Sequence, residues 1–414
     1  MENILKVISL VKNSINQIAY KTDFERNQML DACCETLFEN AEKILQANLI
    51  DIENAKIASK PTSFIDRLQL TKTRIDGMIE GLSQLKAIKS PIGNVQNEWD
   101  TKKELHIKKV TVPLGVIGII FEARPNVTAD TIGLAIKSGN AIVLRGGSDA
   151  INSNIAVVSA IKQGLEKKGF KSDFIGLIED TTHEGVDFLL KQRKYIDVII
   201  PRGGKNLIKN TIENSLIPTI ETGLGNCHIY INEFADINTA KKIATSAKIS
   251  RVSVCNSAES LVIDEKIANE FLPILLKDLS DNGVELRGGD DVKAIYSDIT
   301  KATDEDYYSE YNALIMSVKI VKDIDEAIAW INEHSTHHSD SIISENAEMI
   351  AKFNERIDSA CVFHNTSTRF SDGFEFGFGA EVGISTQKLH ARGPMGINEL
   401  TTYKYQITSD GKIR

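Results

Sequence analysis

Cysteine, proline and tryptophan are scarce in this sequence of 414 residues, with 5, 8 and 2 copies respectively. Five cysteines spread thinly over a long chain, and odd in number, argue against a disulfide scaffold and predict free thiols in a reducing compartment. Glycine, at 27 residues, and proline are too few for a collagenous or low-complexity chain. The scarcity of these residues therefore predicts an ordinary globular protein.

The sequence also lacks a block of lysine and arginine, and its 48 basic residues against 57 acidic ones give a formal charge of −9. An acidic chain of this kind is a poor candidate for binding nucleic acid or an anionic membrane. The longest apolar stretch, around Val110–Phe121, is interrupted by Thr111 and Pro113 and is too short to span a bilayer. The first residues lack the apolar core of a secretory signal, so we expect a cytoplasmic protein.

Helical periodicity dominates the first 90 residues. One apolar face recurs at spacings of four and three residues, through Ile4, Ile8, Val11, Ile15 and Ile18. Thr22 and Glu25 have the spacing of a capping box that opens the next helix. A third periodic segment runs from about Ser63 to Ile88 and stops before Pro91.

Short apolar runs then alternate with amphipathic segments, which predicts a parallel sheet covered on both faces. The first series includes GVIGIIF, NAIVLRG, IGLIE and IDVIIPRGG, and two of its helices are predicted to end at Gly139 and Gly169. A second series follows after about Gly223 and includes CHIYIN, ESLVIDE, ALIMSVKIVKD, DSIIS and SACVFHN. Two further segments, KELHIKKVTV and ELTTYKYQITSD, alternate like half-exposed strands. The pattern predicts two α/β domains of similar build.

Two predicted strands each run into Arg-Gly-Gly before a helix, at Arg145-Gly146-Gly147 and at Arg202-Gly203-Gly204. The carboxyl end of a strand, followed by glycines and a helix N-terminus, is where anionic ligands bind in open α/β sheets. No clean G-x-G-x-x-G and no Walker A motif is present. The twofold recurrence is compatible with a phosphate-binding cradle and with a pair of tight turns.

Cys255 lies in SRVSVCNSAESLVID, after a short apolar stretch and among small polar residues. Taken alone, a free cysteine is more often a packing residue than a nucleophile. Glu221 ends an apolar strand before Gly-x-Gly and is either a poised base or a turn residue. The three histidines of the His334–His338 segment lack a completing zinc-ligand signature, so we assign no metal.

Taken together, Glu221 and Cys255 change the interpretation. The stretch from ETGLG to VCNSAES, preceded by a double α/β pattern, resembles the aldehyde dehydrogenase superfamily. Within that superfamily, the short sequence segments are most similar to the γ-glutamyl phosphate reductase branch. The segments that carry the resemblance are PLGVIGIIFEARPNVTADTIGLAIKSGNAIVLRGGSDA, VIIPRGG, ETGLGNCHIYI, VCNSAES, HHSDSI, NTSTRFSDGFEFGFGAEVGIST and ARGPMG.

The resemblance implies an aldehyde dehydrogenase-like α/β fold with two doubly wound α/β domains and a β-strand oligomerisation arm. Residues 1–98 and 113–221 would form the NADP-binding, Rossmann-like domain, and residues 222–390 the catalytic domain. Residues 99–112 and 391–414 would supply the arm, which predicts a homodimer or a higher homo-oligomer. A partner that the resemblance also suggests is glutamate 5-kinase, which would hand over its product.

The resemblance further implies that Cys255 is the nucleophile and that Glu310 contacts the nicotinamide ribose. The turn of residues 145–148, which ends at Ser148, stands where hydrolytic members carry a carboxylate that binds the adenine ribose. Arginine and glycine amides suit a 2′-phosphate instead, which favours NADPH. We expect the cofactor to bind at this turn and at the second one, through Gly203 and Gly204.

An oxyanion donor is expected after the first strand, where hydrolytic members carry an asparagine. Asn126 is the chemically suited amide, although an ungapped count back from Gly139 places Glu122 opposite that asparagine. Glu221 is retained as a candidate catalytic residue. In a hydrolytic enzyme it would activate the water that releases the acyl group, but a reductase does not need that step.

The implied substrate is L-glutamate 5-phosphate, an acyl phosphate, reduced to glutamate 5-semialdehyde through a Cys255 thioester in proline biosynthesis. Arg124 and Arg369 are candidates for contact with its anionic groups. Two alternatives stay open at this stage: a hydrolytic NAD-dependent aldehyde dehydrogenase, and a non-catalytic protein that retained the fold.

Overall fold

The computed structural model describes residues 1–414, apart from the side chain of residue 63. Helices form the chain before the first strand, as the periodicity predicts: α1 (Glu2–Asn13), α2 (Asn16–Ala19), α3 (Asp23–Glu39), α4 (Ala41–Ile57), α5 (Thr62–Leu68) and α6 (Lys72–Ala87). The predicted capping box is confirmed at the start of α3. Thr22 Oγ1 accepts a hydrogen bond from the Glu25 amide, and Glu25 Oε2 accepts one from the Thr22 amide at 2.8 Å.

The first large sheet is parallel and has the strand order β5-β4-β3-β6. Its strands are β3 (Val116–Phe121), β4 (Ala141–Gly146), β5 (Ile175–Leu177) and β6 (Val198–Arg202), and its helices are α7 (Asn126–Ser138), α8 (Ile151–Lys167), α9 (His183–Leu189) and α10 (Lys205–Asn214). Every residue of β3 and β4 is buried, as expected of central strands covered on both faces. Helix α7 ends at Gly139, whose φ of 74° is the left-handed conformation of a glycine C-cap.

The second sheet has seven parallel strands in the order β10-β9-β11-β8-β7-β12-β13. Its strands are β7 (Cys227–Ile231), β8 (Ala258–Asp264), β9 (Glu285–Gly288), β10 (Thr300–Lys301), β11 (Ile315–Val321), β12 (Ser339–Ile343) and β13 (Cys361–His364). Its helices are α11 (Ile237–Ile249), α12 (Glu265–Asp281), α13 (Asp290–Ile295), α14 (Asp304–Tyr307), α15 (Ile324–His334) and α16 (Ala347–Arg356). Ile229 and Ile231 pack into one core cluster and Tyr230 into another, so both faces of this sheet are covered.

A separate three-stranded antiparallel sheet has the order β1-β2-β16, with β1 (Val95–Asp100), β2 (His106–Pro113) and β16 (Thr401–Thr408). A short antiparallel pair, β14 (Ile384–Ser385) with β15 (Gly393–Pro394), lies near the end of the chain. Strand β16 pairs with β2 from Thr401–Pro113 to Thr408–His106. No helix in the described part of the chain is both long and apolar enough to cross a bilayer.

A cleft lies between the two parallel sheets. From the first sheet it receives the segments that follow β3 and β6, at the carboxyl ends of those strands. From the second sheet it receives the segments that precede β7, β8 and β11, at their amino ends. The linking loop is fixed by hydrogen bonds, one of them from Thr222 Oγ1 to the Pro201 carbonyl at 2.7 Å. Loops of the two sheets thus face each other across the cleft, and a cysteine and several charged side chains lie between them.

Candidate active site

Cys255 lies in the turn that joins α11 to β8. Gly225, in the loop before β7, packs directly against this turn, and a Cβ atom on Gly225 would overlap the carbonyl oxygen of Cys255. Glycine is therefore required at residue 225 by space. The same carbonyl oxygen accepts a hydrogen bond from Cys227 Sγ at 3.2 Å. These contacts fix the backbone that presents the Cys255 thiol.

Five arginines from separate segments of the chain converge on the cleft beside this thiol: Arg67, Arg124, Arg202, Arg251 and Arg369. Among the side chains that the structure describes, none of the five forms a salt bridge with a carboxylate. The pKa of Arg124 is lowered to about 10, first by burial and then by the positive charges of the neighbouring arginines. Guanidinium groups that repel one another and lack carboxylate partners are available to an anionic ligand.

Arg369 is tied to the turn that carries Cys255. Its Nε donates a hydrogen bond to Ser250 Oγ at 3.2 Å, and its Nη1 donates to Asn256 Oδ1. In return, the Asn256 amide donates to the carbonyl oxygens of Arg369 and Ser371, at 3.2 Å and 3.0 Å. Because Asn256 follows Cys255 directly, these bonds hold Arg369 at a fixed place relative to the thiol.

Opposing charges act on the Cys255 thiol itself. Burial raises its pKa to about 11, Arg202 and Arg124 oppose that rise, and the carboxylates of Glu310 and Glu381 reinforce it. Glu310 is held beside the thiol because its Oε1 accepts a hydrogen bond from the Gly225 amide at 3.0 Å. Without a ligand, the thiol is therefore mainly protonated near neutral pH, and the arginines are the groups that favour the thiolate.

The cleft has two connected lobes. The first, of about 620 Å³, contains Cys255, Glu310 and Arg369, and the second, of about 530 Å³, contains Asn126 and Asp130. Both lobes share the other four arginines and the segment just before Cys255. A larger cavity of about 860 Å³ lies between α1 and the loop after β5, and its described lining contains no cysteine and no histidine. The cleft at Cys255 is therefore the candidate active site.

The two Arg-Gly-Gly turns lie on either side of the residue that follows β3, Glu122. The Gly147 amide donates to the Phe121 carbonyl at 2.8 Å, and the Glu122 amide donates to the Arg202 carbonyl at 3.0 Å. The Glu122 carboxylate accepts a hydrogen bond from the Gly204 amide at 2.9 Å, at the start of α10. That amide thus binds an anionic group within the chain, which fits the predicted affinity of this strand end for anions.

Sequence and structure comparisons agree on the family of this chain. The model of the aldehyde dehydrogenase family matches residues 2–295 and 295–405. The γ-glutamyl phosphate reductase of Caldanaerobacter subterraneus subsp. tengcongensis is 50% identical over 403 residues, which is 97% of each chain. The chain belongs to the aldehyde dehydrogenase family, in its γ-glutamyl phosphate reductase branch.

Solved structures include close and distant neighbours of this chain. The crystal structure of the γ-glutamyl phosphate reductase of Thermotoga maritima has a TM-score of 0.96 and 44% identity, and covers 99% of each chain. An engineered glycolyl-CoA reductase with bound NADP⁺ has a TM-score of 0.71 and 14% identity, and covers 98% of this chain and 96% of that one. The second likeness shows the shared fold alone. The predicted aldehyde dehydrogenase-like α/β fold is confirmed.

The structure brings some of the predicted site residues of this family member together and leaves others apart. Those that line the lobe of the thiol are Cys255, Arg124, Gly203, Gly204, Glu310 and Arg369. Asn126 lines the second lobe, where its side-chain amide donates to Asp130 Oδ2 at 3.0 Å. Glu221 does not line either lobe; its backbone amide donates to Gln387 Oε1 at 2.9 Å.

The first turn lies farther along the same sheet edge. Arg145 is 6% exposed, and its Nη2 donates to the carbonyl oxygen of Thr182 at 2.9 Å, in the loop before α9. Burial lowers the pKa of Arg145, while the carboxylates of Asp180 and Glu122 act in the opposite direction. Gly146, Gly147 and Ser148 are likewise absent from the lining of both lobes. This turn is therefore separate from the thiol and lies near the outer strand β5.

Sequence reasoning missed several residues that shape the site. Arg202 was noted only as part of a turn, and Arg67 and Arg251 carried no motif at all. Lys248, before the turn of Cys255, and Glu259, after it, form an ion pair in which both side chains are fully buried. Repeated Arg-Gly-Gly text was the one signal that pointed toward Arg202.

Proposed function

We propose that this chain reduces L-glutamate 5-phosphate to L-glutamate 5-semialdehyde and phosphate with NADPH, in L-proline biosynthesis. The observation that carries the proposal is a cysteine thiol in a cleft lined by five arginines, all of which lack a salt bridge with a carboxylate among the described side chains. An acyl phosphate with a second carboxylate is a substrate that such a cleft would attract. The names of the relatives at about half identity support the same reaction.

The first chemical step uses the chain's own residues. The Cys255 thiolate attacks the γ-carbonyl carbon, forms a thioester and expels the phosphate. Arg124 and Arg202, whose charges favour the thiolate, would also stabilise the departing phosphate. Since the free thiol has a raised pKa of about 11, we infer that substrate binding, which brings the reacting carbonyl to the thiol, accompanies its deprotonation.

The developing oxyanion of this step needs hydrogen-bond donors. The backbone amide of Cys255 is the simplest of them, because it moves with the nucleophile. Asn126 is the side-chain candidate, but its amide donates to Asp130 and lies in the second lobe. In this proposal Asn126 reaches the oxyanion only if that hydrogen bond is exchanged. Glu221 would act from outside the cleft, as a residue of the loop that carries Gly225.

The cofactor residues fit a dinucleotide laid across the carboxyl edge of the first sheet. Gly203 and Gly204 would hold it near the thiol, and the turn of residues 145–148 would hold its far end. Glu310, fixed by the Gly225 amide, is placed to contact the nicotinamide ribose. When bound, NADPH supplies the hydride that converts the thioester to a thiohemiacetal. Collapse of the thiohemiacetal would release the semialdehyde and restore the Cys255 thiol.

This proposal assigns the cofactor to residues 1–98 and 113–221, the nucleophile to residues 222–390, and assembly to residues 99–112 and 391–414. It places the reaction in the cytoplasm of a cell, with a homodimer or a higher homo-oligomer as the working form. The acyl phosphate substrate would come from glutamate 5-kinase, by direct transfer or by diffusion.

The test is the reverse reaction of the purified protein. Glutamate 5-semialdehyde, NADP⁺ and inorganic phosphate are mixed, and NADPH formation is followed at 340 nm. We expect reduction of NADP⁺ that requires phosphate. Oxidation that proceeds equally well without phosphate would instead identify a hydrolytic aldehyde dehydrogenase, and absence of any turnover would contradict the proposal.

A further inference from the structure

The second lobe of the cleft holds charges of both signs. Besides the four shared arginines, it is lined by Asp130 of α7, which is absent from the first lobe, and by Glu381 and Asp372 of the segment after β13, which line both lobes. Among the described side chains, neither Asp130 nor Glu381 forms a salt bridge. Asp130 Oδ2 accepts only from the Asn126 amide, at 3.0 Å, and Glu381 Oε2 accepts from the Gly373 amide, at 2.8 Å. Unpaired carboxylates and unpaired guanidinium groups therefore share one cavity.

The two kinds of charge are sorted within this lobe. The strongest charge effects on Arg124 come from Cys255 and other arginines. Apart from Arg202, the strongest ones on Glu381 come from Asp372 and Asp130. Arg202 therefore acts on groups of both signs. Burial raises the pKa of Asp130 to about 6 and that of Glu381 to about 7, and a bound cationic group would favour the ionised form of both carboxyls. Asp130 lines the second lobe and not the first, and its carboxylate would repel a phosphate dianion, so the second lobe suits a different part of the substrate.

We propose that the second lobe recognises the amino-acid end of the substrate: Asp130 and Glu381 bind the α-ammonium group, and Arg67 and Arg251 bind the α-carboxylate. This inference rests on the proposed function, which supplies a substrate with both groups on one carbon. A zwitterion matches a cavity that offers both unpaired carboxylates and unpaired arginines, because each ionic group finds a charge-assisted partner. The lobe thereby determines specificity for an α-amino acid over a simple acyl phosphate or aldehyde.

The experiment compares three aldehydes in the reverse, phosphate-dependent reaction. Glutamate 5-semialdehyde carries both groups, 5-oxopentanoate lacks the ammonium group, and 4-aminobutanal lacks the carboxylate. Each variant is compared with wild type on the same substrate, so that ring closure of the amino aldehydes cancels. The variants are Asp130→Asn, Glu381→Gln, Arg67→Gln and Arg251→Gln, and thermal melting checks that each one is folded.

We expect Asp130→Asn and Glu381→Gln to lower kcat/KM for glutamate 5-semialdehyde about ten- to a hundredfold more than kcat/KM for 5-oxopentanoate; the comparison between substrates cancels the effect of Glu381 on the Cys255 thiol. Arg67→Gln and Arg251→Gln should lower kcat/KM for the two carboxylate-bearing substrates and spare 4-aminobutanal. Asp66→Asn is the matched control, because the Asp66 carboxylate already pairs with Arg74 at 2.9 Å. This control should leave all three values near wild type.

Equal losses on all three aldehydes would overturn the inference, because they would show a general role for the mutated residue. That result leaves the proposed function intact, since wild type would still oxidise glutamate 5-semialdehyde with phosphate. Wild type that turns over none of the three aldehydes would overturn the proposed function and this inference together. Should Asp130→Asn fail to fold, Glu381→Gln alone tests the ammonium site.

Discussion

Gly225 and Cys255 are in direct backbone contact, so tightly that a single methyl group on Gly225 would overlap the carbonyl oxygen of Cys255. The Gly225 amide also holds the carboxylate of Glu310 at 3.0 Å. One glycine therefore positions both the turn of Cys255 and an acidic group that raises the pKa of its thiol. The loop before β7 in this way supports the candidate active site, although it contributes no reacting side chain to the proposed mechanism.

Replacement of this glycine should disable the enzyme without a change at the thiol. We expect Gly225→Ala to lower kcat at least about a hundredfold, because the turn of Cys255 must shift to make room. Steady-state kinetics of the phosphate-dependent reaction measure the loss. Gly77→Ala is the folding control, since no atom beyond its own helix backbone and chain neighbours lies within 4 Å of a Cβ at Gly77 in helix α6. Gly77 lines the second lobe and not that of the thiol, so this variant should keep the Cys255 turn in place and gain about 0.5–1 kcal/mol of stability; an active Gly225→Ala enzyme would refute the contact's importance.

A second prediction concerns the choice among the cysteines. Cys255→Ser should abolish activity and leave the fold intact, because a hydroxyl of much higher pKa cannot attack without a dedicated base. Cys227→Ser and Cys361→Ser should keep most activity, and a serine at residue 227 can still donate to the Cys255 carbonyl. Activity assays and circular dichroism of the three variants decide the matter. Wild-type rates in Cys255→Ser would rule out the thioester mechanism.

The pH dependence of thiol alkylation follows from the charges around Cys255. With a pKa of about 11, the thiolate is the minor form at neutral pH, so the rate with iodoacetamide should rise about tenfold per pH unit from pH 7 to 10. Glu310→Gln removes a negative charge that disfavours the thiolate, lowers the pKa and should speed alkylation at pH 7.5. Arg124→Gln removes a favourable positive charge and should slow it. A plateau below pH 9 in the wild type would contradict this electrostatic account.

Much of the fold could be predicted because periodicity reports burial within one element. The helices before β1 and the alternation of strands and helices both left such patterns, and the capping box at Thr22 and the glycine cap at Gly139 are local. Strand β1 (VQNEWD) was missed because all of its residues are exposed, so it carries no alternation of apolar and polar residues. It is held by pairing with β2 instead.

The site could be predicted only in part, for a related reason. Cys255 was located by resemblance to a family, and the Arg-Gly-Gly turns by repetition of a short text. Arg67, Arg251 and Glu381 come from segments far apart in the chain and meet only after folding. Likewise, the sequence Gly-Leu-Gly of residues 223–225 does not reveal that Gly225, rather than Gly223, lies against Cys255. Such relationships depend on distances that a sequence does not contain.

Cofactor preference gives a fourth prediction, at the turn of residues 145–148. We expect Arg145→Ala to weaken binding of NADPH about ten- to a hundredfold more than that of NADH, through loss of a charge-assisted contact with the 2′-phosphate. Because Arg145 also donates to the Thr182 carbonyl, the variant should lose some thermal stability as well. Fluorescence titration with each cofactor measures both affinities. Equal losses for the two cofactors would remove Arg145 from 2′-phosphate recognition.

The antiparallel sheet β1-β2-β16 exposes large apolar side chains. Tyr403, Tyr405 and Ile407 of β16 are 47%, 52% and 58% exposed, which is unusual for large apolar side chains in a strand. Trp99 of β1 packs edge-on against Tyr405, with ring centroids 6.1 Å apart. In the seven-stranded sheet, β13 is an edge strand that pairs only with β12. An exposed ribbon and an open edge in one chain are complementary features of an assembly by strand addition.

Removal of residues 402–414 should therefore convert a homodimer or higher oligomer into a monomer with weakened activity. The deletion leaves Leu400 in place, because its side chain is buried and its carbonyl oxygen accepts a hydrogen bond from the Asn140 side chain at 2.8 Å. Without β16, the β1-β2 hairpin loses one edge partner and the exposed tyrosines that would contact the other subunit. Light scattering at micromolar concentration gives the mass of each form. The double variant Tyr405→Asp, Ile407→Asp keeps the strand and should dissociate in the same way, because the charges disrupt an apolar contact without removal of any backbone. A full-length protein that is already monomeric would refute the arm.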